Sequence, residues 1–467
     1  MLDIQEHYSL AEYAIRFASM HGFSYSEAFL EAMHGRYHAL EQGKVNGNGY
    51  YEKEGIRIRL LKGNKMYTFS TNKLEKKTIR NAILKYKGFR GVDTVFSSEA
   101  VERKKYSVKE KKKADNANAL KDLLELDKVF SVNKNVKFRN FYTSTSKYRT
   151  IYINSEGSMI EADIPAAVSA AIITVGIGKE TRQRMIFFGG IGGYEMLNHE
   201  AIEDSVKSEI SAMANVIKNG VTISNHEMRK IKNVVISPEI AGIAVHESVG
   251  HPSEADRVFM REAAQAGTSY ITRQNFGMRI GSDAVTIIDD PTLQNSMGFY
   301  LYDEEGIKAK KRTIIKNGMQ NELLLNRSYA HVLGLKSNAS ARSESYRAEP
   351  IIRMANTYLE PGSASLDELF SEAGNGVYIK SFTEWNIDDT RSFSRYQGNE
   401  AYMIKNHRLD RPVKNYVLES KTLDFWNAVK LVGKDFQLFR ATCGKGEPMQ
   451  GVPVSNGGAP ALLSFGD

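Results

Sequence analysis

The sequence predicts an α+β protein in which small N-terminal α/β domains precede a larger, β-rich C-terminal domain. Three observations support this class. Apolar residues recur at helical spacing over 9–20, and apolar residues alternate with arginines over 56–60. The chain also has 467 residues, which is more than one hydrophobic core usually organises. We therefore expect two or three domains.

The first 102 residues are predicted to form an α+β domain. The amphipathic pattern over 9–20 predicts a helix, and the aromatic-rich stretch over 23–40 predicts a long strand. A turn at 46–49 follows, and then come a strand over 56–60, its hairpin partner over 66–70 and a helix over 74–86.

A middle α/β segment is expected over 115–220. It contains a helix over 115–130, β-rich stretches over 136–146, 148–154 and 166–177, and a long helix over 198–218. The glycine-rich run 189–193 favours a tight turn or a close backbone approach, because no G-x-G-x-x-G follows a strand and opens a helix there. From 221 to 467 the pattern predicts one larger β-rich domain.

Charge and composition restrict the classes of partner that the protein can bind and the cellular compartment in which we expect it. The formal net charge of +8 is a modest excess for this length, and it favours a solvated surface over nucleic-acid binding. The basic stretch 103–113 is interpreted as a solvated linker. A single cysteine excludes an intrachain disulfide, which fits a reducing compartment. We see no signal peptide, and the apolar stretch 164–177 is too short to span a bilayer, so we expect a cytoplasmic protein without a membrane segment.

The most informative motif is an H-E-x-x-x-H at residues 246–251. Histidines at i and i+5 of a regular helix lie ~140° apart around the axis, too far for one metal ion. Gly250 tolerates an irregular backbone, and Pro252 disfavours α geometry at His251. We therefore predict that the helix ends, or widens by one π turn, at Gly250 and His251. His251 can then turn toward the face that carries His246.

These residue types point to a hydrolytic metal site. Glu247 is placed to act as general base on a water that a metal activates. A catalytic zinc needs a third protein ligand, and Glu254, Asp256 and Cys443 are the candidates. Two other interpretations stay open: a helix with two ordinary histidines and a surface glutamate, and a cysteine nucleophile paired with a histidine.

Several separate blocks of the chain resemble the TldD/PmbA family, and in particular its TldD-type members. The H-E-S-V-G-H at 246–251 is similar to that family's metal motif, and Glu254 and Asp256 fall where those members carry acids. Pro252 stands where many of them carry glycine. Further similar blocks lie, in order, at 154–157, 289–290, 303–306, 349–357, 443–450, 453–455 and 457–458.

The resemblance implies a zinc metalloprotease with one Zn²⁺ per chain. It implies that His246, His251 and Cys443 are the metal ligands and that Glu247 is the catalytic acid/base. It also implies a dimer, formed with a second copy or with a PmbA (TldE)-type relative that lacks the metal motif. Such a pair encloses a chamber that unfolded peptides reach. The expected function is hydrolysis of peptide bonds in extended or unfolded peptides.

Three points stay open. The sequence does not select the donor that stabilises the oxyanion; the candidates are His331, Tyr346, Arg347 and Asn356. Substrate binding by β-strand addition is a hypothesis that rests on the β-rich C-terminal half. The alternatives to a peptidase are a scaffold subunit without catalysis and a zinc hydrolase of non-peptide amides.

Overall fold

The computed structural model describes residues 4–113, 116–261 and 267–466. The N-terminal half is built on one eight-stranded sheet, in the order β4-β3-β2-β1-β6-β7-β5, with β8 also pairing with β7. Its strands are β1 (Tyr25–Glu41), β2 (Lys44–Lys62), β3 (Lys65–Thr71), β4 (Gly91–Asp93), β5 (Arg103–Ser107), β6 (Val136–Asn154), β7 (Met159–Ile177) and β8 (Glu180–Ile191). Its helices are α1 (Ile4–Met20), α2 (Lys76–Leu84), α3 (Asn116–Ser131) and α4 (His199–Asn219).

Most of the predicted N-terminal helices and strands are confirmed within a few residues. The turn predicted over 46–49 is wrong, because these residues lie within β2 and the hairpin turns at Gln42 and Gly43. The helix predicted over 198–218 is α4, and it begins where the Asn198 side chain accepts a hydrogen bond from the Ala201 amide. The glycine-rich run is a close backbone approach, as predicted. A Cβ atom on Gly190 would lie 2.1 Å from the Asn295 carbonyl oxygen.

The basic stretch 103–113 differs from its prediction as a solvated linker. Arg103–Ser107 form strand β5, which pairs in parallel with Met159–Asp163 of β7. The lysine and arginine side chains there are exposed, so the charge pattern identified the solvated face but not the strand beneath it. Because β1 also pairs with β6, the segments predicted as 1–102 and 115–220 share one sheet.

Within its described residues, the C-terminal half contains the strands β9–β23 and the helices α5–α10. The strands are β9 (Asn233–Ile236), β10 (Ile287–Asp289), β11 (Arg312–Lys316), β12 (Met319–Gln320), β13 (Ala341–Arg342), β14 (Ile351–Ile352), β15 (Asn356–Leu359), β16 (Gly376–Ile387), β17 (Phe393–Lys405), β18 (Arg408–Val413), β19 (Val417–Lys421), β20 (Val429–Val432), β21 (Gln437–Lys445), β22 (Gln450–Gly458) and β23 (Ala461–Ser464). The helices are α5 (Asn225–Lys230), α6 (Pro238–Val245), α7 (Ala255–Val258), α8 (Arg327–Leu333), α9 (Leu366–Ala373) and α10 (Thr422–Asn427).

Two sheets of this half enclose the central helix α6. One has the order β12-β11-β10-β15-β22-β21, and the other has β18-β17-β16-β9-β23-β20, with β19 also pairing with β17. Helix α6 packs against β15, β16, β21 and β22. A Cβ atom on Gly242 would lie 2.6 Å from the Cα of Gly457, so only glycine lets the helix approach β22 this closely. The fold class predicted from the sequence is confirmed. Within the described ranges, no helix combines the length and apolar character that a membrane crossing requires.

Candidate metal centre

The H-E-x-x-x-H motif lies on a helix that changes its winding at the motif. Ser237 caps the start of α6, and a π-helical turn over His246–Gly250 follows directly, before a 3₁₀ turn over His251–Ser253. The π turn adds one residue to the helical turn, so positions five apart lie on the same side. The two histidine rings are 5.0 Å apart between centroids. The predicted widening of the helix is therefore confirmed.

Neighbouring hydroxyl groups satisfy the carbonyls around the irregular turn. The Ser248 hydroxyl donates to the Ala244 carbonyl at 2.6 Å, and the Ser253 hydroxyl donates to the Val249 carbonyl at 2.7 Å. The Tyr270 hydroxyl donates to the Ser248 carbonyl at 2.8 Å. Unpaired buried carbonyls would cost free energy, so these side chains stabilise a winding that the backbone alone disfavours.

Cys443 reaches the two histidines from strand β21. One ligand atom each from His246, His251 and Cys443 lie within 4.8 Å of one another, and all three residues are buried. The Cys443 Sγ atom is 3.5 Å from His251 Nε2. Two ligands on one tetrahedral zinc, with typical Zn–N and Zn–S bonds, lie about 3.5 Å apart, so this spacing fits a shared ion.

The protonation states also suit a metal. Burial lowers the pKa of both His246 and His251, which favours the neutral rings that ligate metals. Burial alone raises the pKa of the Cys443 thiol, but the contacts with His251 and the charge of Arg353 together outweigh burial, and the net shift of the pKa is downward. His246 Nδ1 is buried without a hydrogen-bond partner among the described residues. A cation would satisfy an open bonding site of this kind.

Glu254 and Asp256, the two acids weighed as third ligands, are engaged elsewhere. Glu254 Oε2 lies 2.9 Å from His251 Nδ1, which leaves the other ring nitrogen to face Cys443. The Lys445 ammonium lies 3.2 Å from Glu254 and 2.6 Å from Asp256, and all three side chains are fully buried. Burial alone raises the pKa of Glu254, but Lys445, His251 and Arg257 together outweigh burial and hold that pKa well below its usual value. The acids therefore form a charged layer behind His251.

Glu247 faces an arginine that sequence reasoning did not find. The Arg391 Nη1 atom donates to Glu247 Oε2 at 2.5 Å. Arg391 lies between β16 and β17, and its φ of +63° is unusual for a residue with a side chain. Such strain is often held at functional sites by the surrounding structure. No sequence pattern links two residues that are 144 positions apart.

The cluster opens into a large cavity. The cavity has a volume of about 1000 Å³, and His246, Glu247, His251 and Cys443 line it. Residues 439–444 of β21 also line it, and β21 is the last strand of its sheet. An edge strand has unpaired backbone donors and acceptors along one side. The wall of the cavity therefore offers a place for an extended chain to pair.

The four residues that the sequence suggested as oxyanion donors do not line this cavity. Tyr346 packs over Gly55 of the N-terminal sheet, and Arg347 donates to the Tyr346 hydroxyl. Asn356 is buried, and its side-chain amide donates to the Asp290 carbonyl. His331 lies on the exposed side of α8. The cations that do line the cavity are Arg184, Lys380, Arg391 and Arg440.

Comparison with known proteins places the chain in a family. The sequence model of the PmbA/TldA metallopeptidase C-terminal domain matches residues 229–464, and the model of the PmbA/TldA metallopeptidase domain 1 matches residues 26–85. The chain thus belongs to the PmbA/TldD family of metallopeptidases, as the resemblance predicted.

Named relatives agree with this assignment. A metalloprotease of Methanothermobacter thermautotrophicus is 34% identical over 66% of this chain and 64% of its own length. A metalloprotease of Methanocaldococcus jannaschii is 28% identical over 90% of this chain and 91% of its own length. A zinc metalloprotease TldD homolog of Saccharolobus solfataricus is 34% identical over 48% of both chains. The crystal structure of TldE from Thermococcus kodakarensis shares the fold, with a TM-score of 0.77, 15% identity and coverage of 97% of this chain and 98% of that one.

Proposed function

We propose that this protein is a zinc-dependent peptidase that hydrolyses peptide bonds in extended or unfolded peptides. One observation carries the proposal: the His246, His251 and Cys443 ligand atoms lie within 4.8 Å of one another, at the wall of a cavity that an edge strand borders. A relative that is named a zinc metalloprotease supports the choice of metal. The three ligands are one fewer than a tetrahedral ion takes, which leaves a position for water or substrate.

The chemistry divides between the metal and the protein. A bound zinc would lower the pKa of a water ligand to about 7 and would polarise the scissile carbonyl. Glu247 accepts the proton that the attacking water loses and later delivers it to the leaving amine. Arg391 holds one oxygen of the Glu247 carboxylate at 2.5 Å, so it orients the base. Glu254 and Lys445 orient His251 from behind.

The peptide is expected to bind along β21. Backbone pairing with an edge strand requires an extended substrate and gives little side-chain selection. Cleavage of unstructured peptides, with folded proteins left intact, is the expected pattern. We further propose that the protein works in the cytoplasm as a dimer, with a second copy or with a TldE-type relative. The shared fold of TldE supports the second arrangement.

Metal content and hydrolysis together test the proposal. We expect about one zinc per chain by mass spectrometry, lost in His246→Ala and Cys443→Ala and kept in Glu247→Gln. Glu247→Gln should lower kcat on an unfolded peptide by about 10²–10⁴-fold, since it removes the general base. Glu419→Gln, at a surface ion pair with Arg395, is the matched control and should change neither result. A chain that binds no zinc when zinc is supplied would instead favour the scaffold alternative.

A further inference from the structure

Arg440 is a cation in the cavity wall that has no acidic partner among the residues that the structure describes. It lies on β21, and its Nη1 atom is buried without a hydrogen-bond partner among the described residues. The other three cations of the cavity wall are paired: Arg184 with Glu239, Lys380 with Glu400 and Arg391 with Glu247. The Arg391 Nε atom also lacks a hydrogen-bond partner, but among the described residues Arg440 is the cavity-lining cation without an ion pair.

An unpaired guanidinium in this position is unfavourable in the free protein. Removing a charge from water without a partner costs free energy, and burial lowers the pKa of Arg440 to about 9. The side chain still carries its charge at neutral pH. A carboxylate that entered the cavity would restore the lost interactions and could accept two parallel hydrogen bonds from the guanidinium. The protein therefore gains most from a ligand that is anionic at this point.

The position of Arg440 on β21 sets the distance between a bound carboxylate and the candidate metal centre. Arg440 lies three residues before Cys443 on the same strand. At ~3.3 Å per residue, this separation is about 10 Å along β21. A peptide that pairs with the free edge of β21 has the same rise per residue. A carboxylate bound to Arg440 would therefore belong to a residue about three positions from the one beside Cys443.

We propose that Arg440 binds a carboxylate of the peptide substrate, about three residues from the scissile bond. This inference rests on the proposed peptidase function and adds a substrate class to it. The carboxylate has two possible sources, an acidic side chain within the peptide and the free C-terminus. The same guanidinium recognises both, because both present a planar pair of oxygens. Peptides that lack an anion at this distance are poorer substrates.

Binding is measured first on the zinc-loaded Glu247→Gln chain, so that hydrolysis does not consume the ligand. The probes are fluorescent ten-residue peptides with one Glu, Gln or Lys moved along the sequence, each with a free and an amidated C-terminus. We expect a peptide with a carboxylate in the favoured register to bind about 10–100-fold more tightly than its neutral form. If amidation of the C-terminus weakens binding, the carboxylate that Arg440 binds is the C-terminus. If binding depends on the position of one Glu, the carboxylate is that side chain. Equal binding of all peptides overturns the inference.

Charge reversal then tests Arg440 itself. In the Glu247→Gln chain, Arg440→Glu should remove the preference for the carboxylate and favour the peptide with Lys in the same register. Arg440→Lys should retain part of the preference, since it keeps the charge but loses the two-pronged geometry. Lys380→Gln, which also removes one positive charge from the cavity wall, is the matched control and should leave the preference unchanged.

The possible outcomes separate this inference from the peptidase proposal. If the wild-type chain hydrolyses no peptide while Arg440→Glu still reverses the binding preference, the peptidase proposal fails and the carboxylate site stands. If the wild-type chain hydrolyses peptides and Arg440→Glu leaves the preference intact, the carboxylate site alone is overturned. A change of oligomeric state in Arg440→Glu, with an intact preference, would assign Arg440 to a subunit contact and also overturn the inference.

Discussion

Two buried networks of charged side chains lie in different parts of this molecule and have different roles. In the first, Arg59 of the N-terminal sheet contacts Glu27 at 2.6 Å and Glu305 of the C-terminal half at 3.1 Å. In the second, Lys445 contacts Glu254 and Asp256 behind the candidate metal centre. Both networks exclude water almost completely. Burial of charge therefore does not distinguish them.

The two networks differ in whether all of their buried polar atoms have hydrogen-bond partners. Within the described residues, no buried polar atom of Arg59, Glu27 or Glu305 lacks a partner. In the second region, Glu254 Oε1, Asp256 Oδ2 and His246 Nδ1 all lack one. The first network joins two halves of the protein and is complete. The second lies behind the candidate metal ligands and leaves buried polar atoms without hydrogen-bond partners among the described residues, a feature that is common at functional sites.

The largest expected effect is loss of stability when the first network is broken. Arg59→Ala leaves Glu27 and Glu305 buried without their shared cation, so the free energy of unfolding should fall by about 3–5 kcal/mol. Urea unfolding followed by circular dichroism measures this change. Arg395→Ala removes two surface ion pairs, with Glu384 and Glu419, and should cost about 1 kcal/mol or less. Zinc per folded chain should stay constant in both variants; loss of zinc in Arg59→Ala would contradict the division between the networks.

The second network should instead control metal affinity. Glu254→Gln removes the carboxylate that orients His251, so zinc affinity should fall by about 10–100-fold, as measured by competition with a chelator. The control is Glu384→Gln, at a surface pair with Arg395. If Glu254→Gln binds zinc as tightly as the unmodified chain, the orienting role is wrong.

Alanine substitution of two tightly packed glycines, one in each region, also tests the difference between the two regions. A Cβ atom on Gly250 would lie 2.0 Å from Met354 Sδ, and one on Gly55 would lie 2.1 Å from the Tyr346 ring. Each alanine substitution should lower the free energy of unfolding by about 1–3 kcal/mol, by overpacking. Only Gly250→Ala, which disturbs the π turn, should also weaken zinc binding. Gly88→Ala, where a Cβ atom would meet nothing within 4 Å, is the control. Equal zinc affinity in all three variants would contradict the prediction.

The smallest expected effect is a change in the contribution of Glu27 to stability at low pH. Burial alone raises the pKa of Glu27, but Arg59, with smaller contributions from Tyr25 and Arg57, outweighs burial, and the net pKa lies below the usual value of 4.5. Because the folded pKa is depressed, the contribution of Glu27 to stability is present above pH 4.5 and is lost as the pH falls through the folded pKa. The stability difference between the unmodified chain and Glu27→Gln should therefore shrink in acid. Urea unfolding at several pH values checks this, and a difference that grows in acid would refute it.

Local sequence patterns predicted much of the fold and part of the candidate site. Helical periodicity predicted α1, and the aromatic-rich stretch over 23–40 predicted β1, whose first seven residues are buried. The π turn was also predictable, because Gly250 and Pro252 mark the place where regular winding fails. Strand β5 was missed, because an exposed, basic edge strand has the same composition as a solvated linker.

The sequence by itself determined the residue types of the candidate metal centre and the winding of the helix that carries two of them. Local patterns left Cys443 as one of three candidate ligands, and the family resemblance selected it. Tertiary structure decided how Cys443 reaches the histidines and which other distant residues join them. Strand β22 pairs in parallel with β15 and antiparallel with β21, and this pairing carries Cys443, Lys445 and Arg440 to the metal helix. A hairpin loop carries Arg391 to Glu247 in the same way. These contacts depend on pairing between strands far apart in the chain, and no local pattern encodes such pairing.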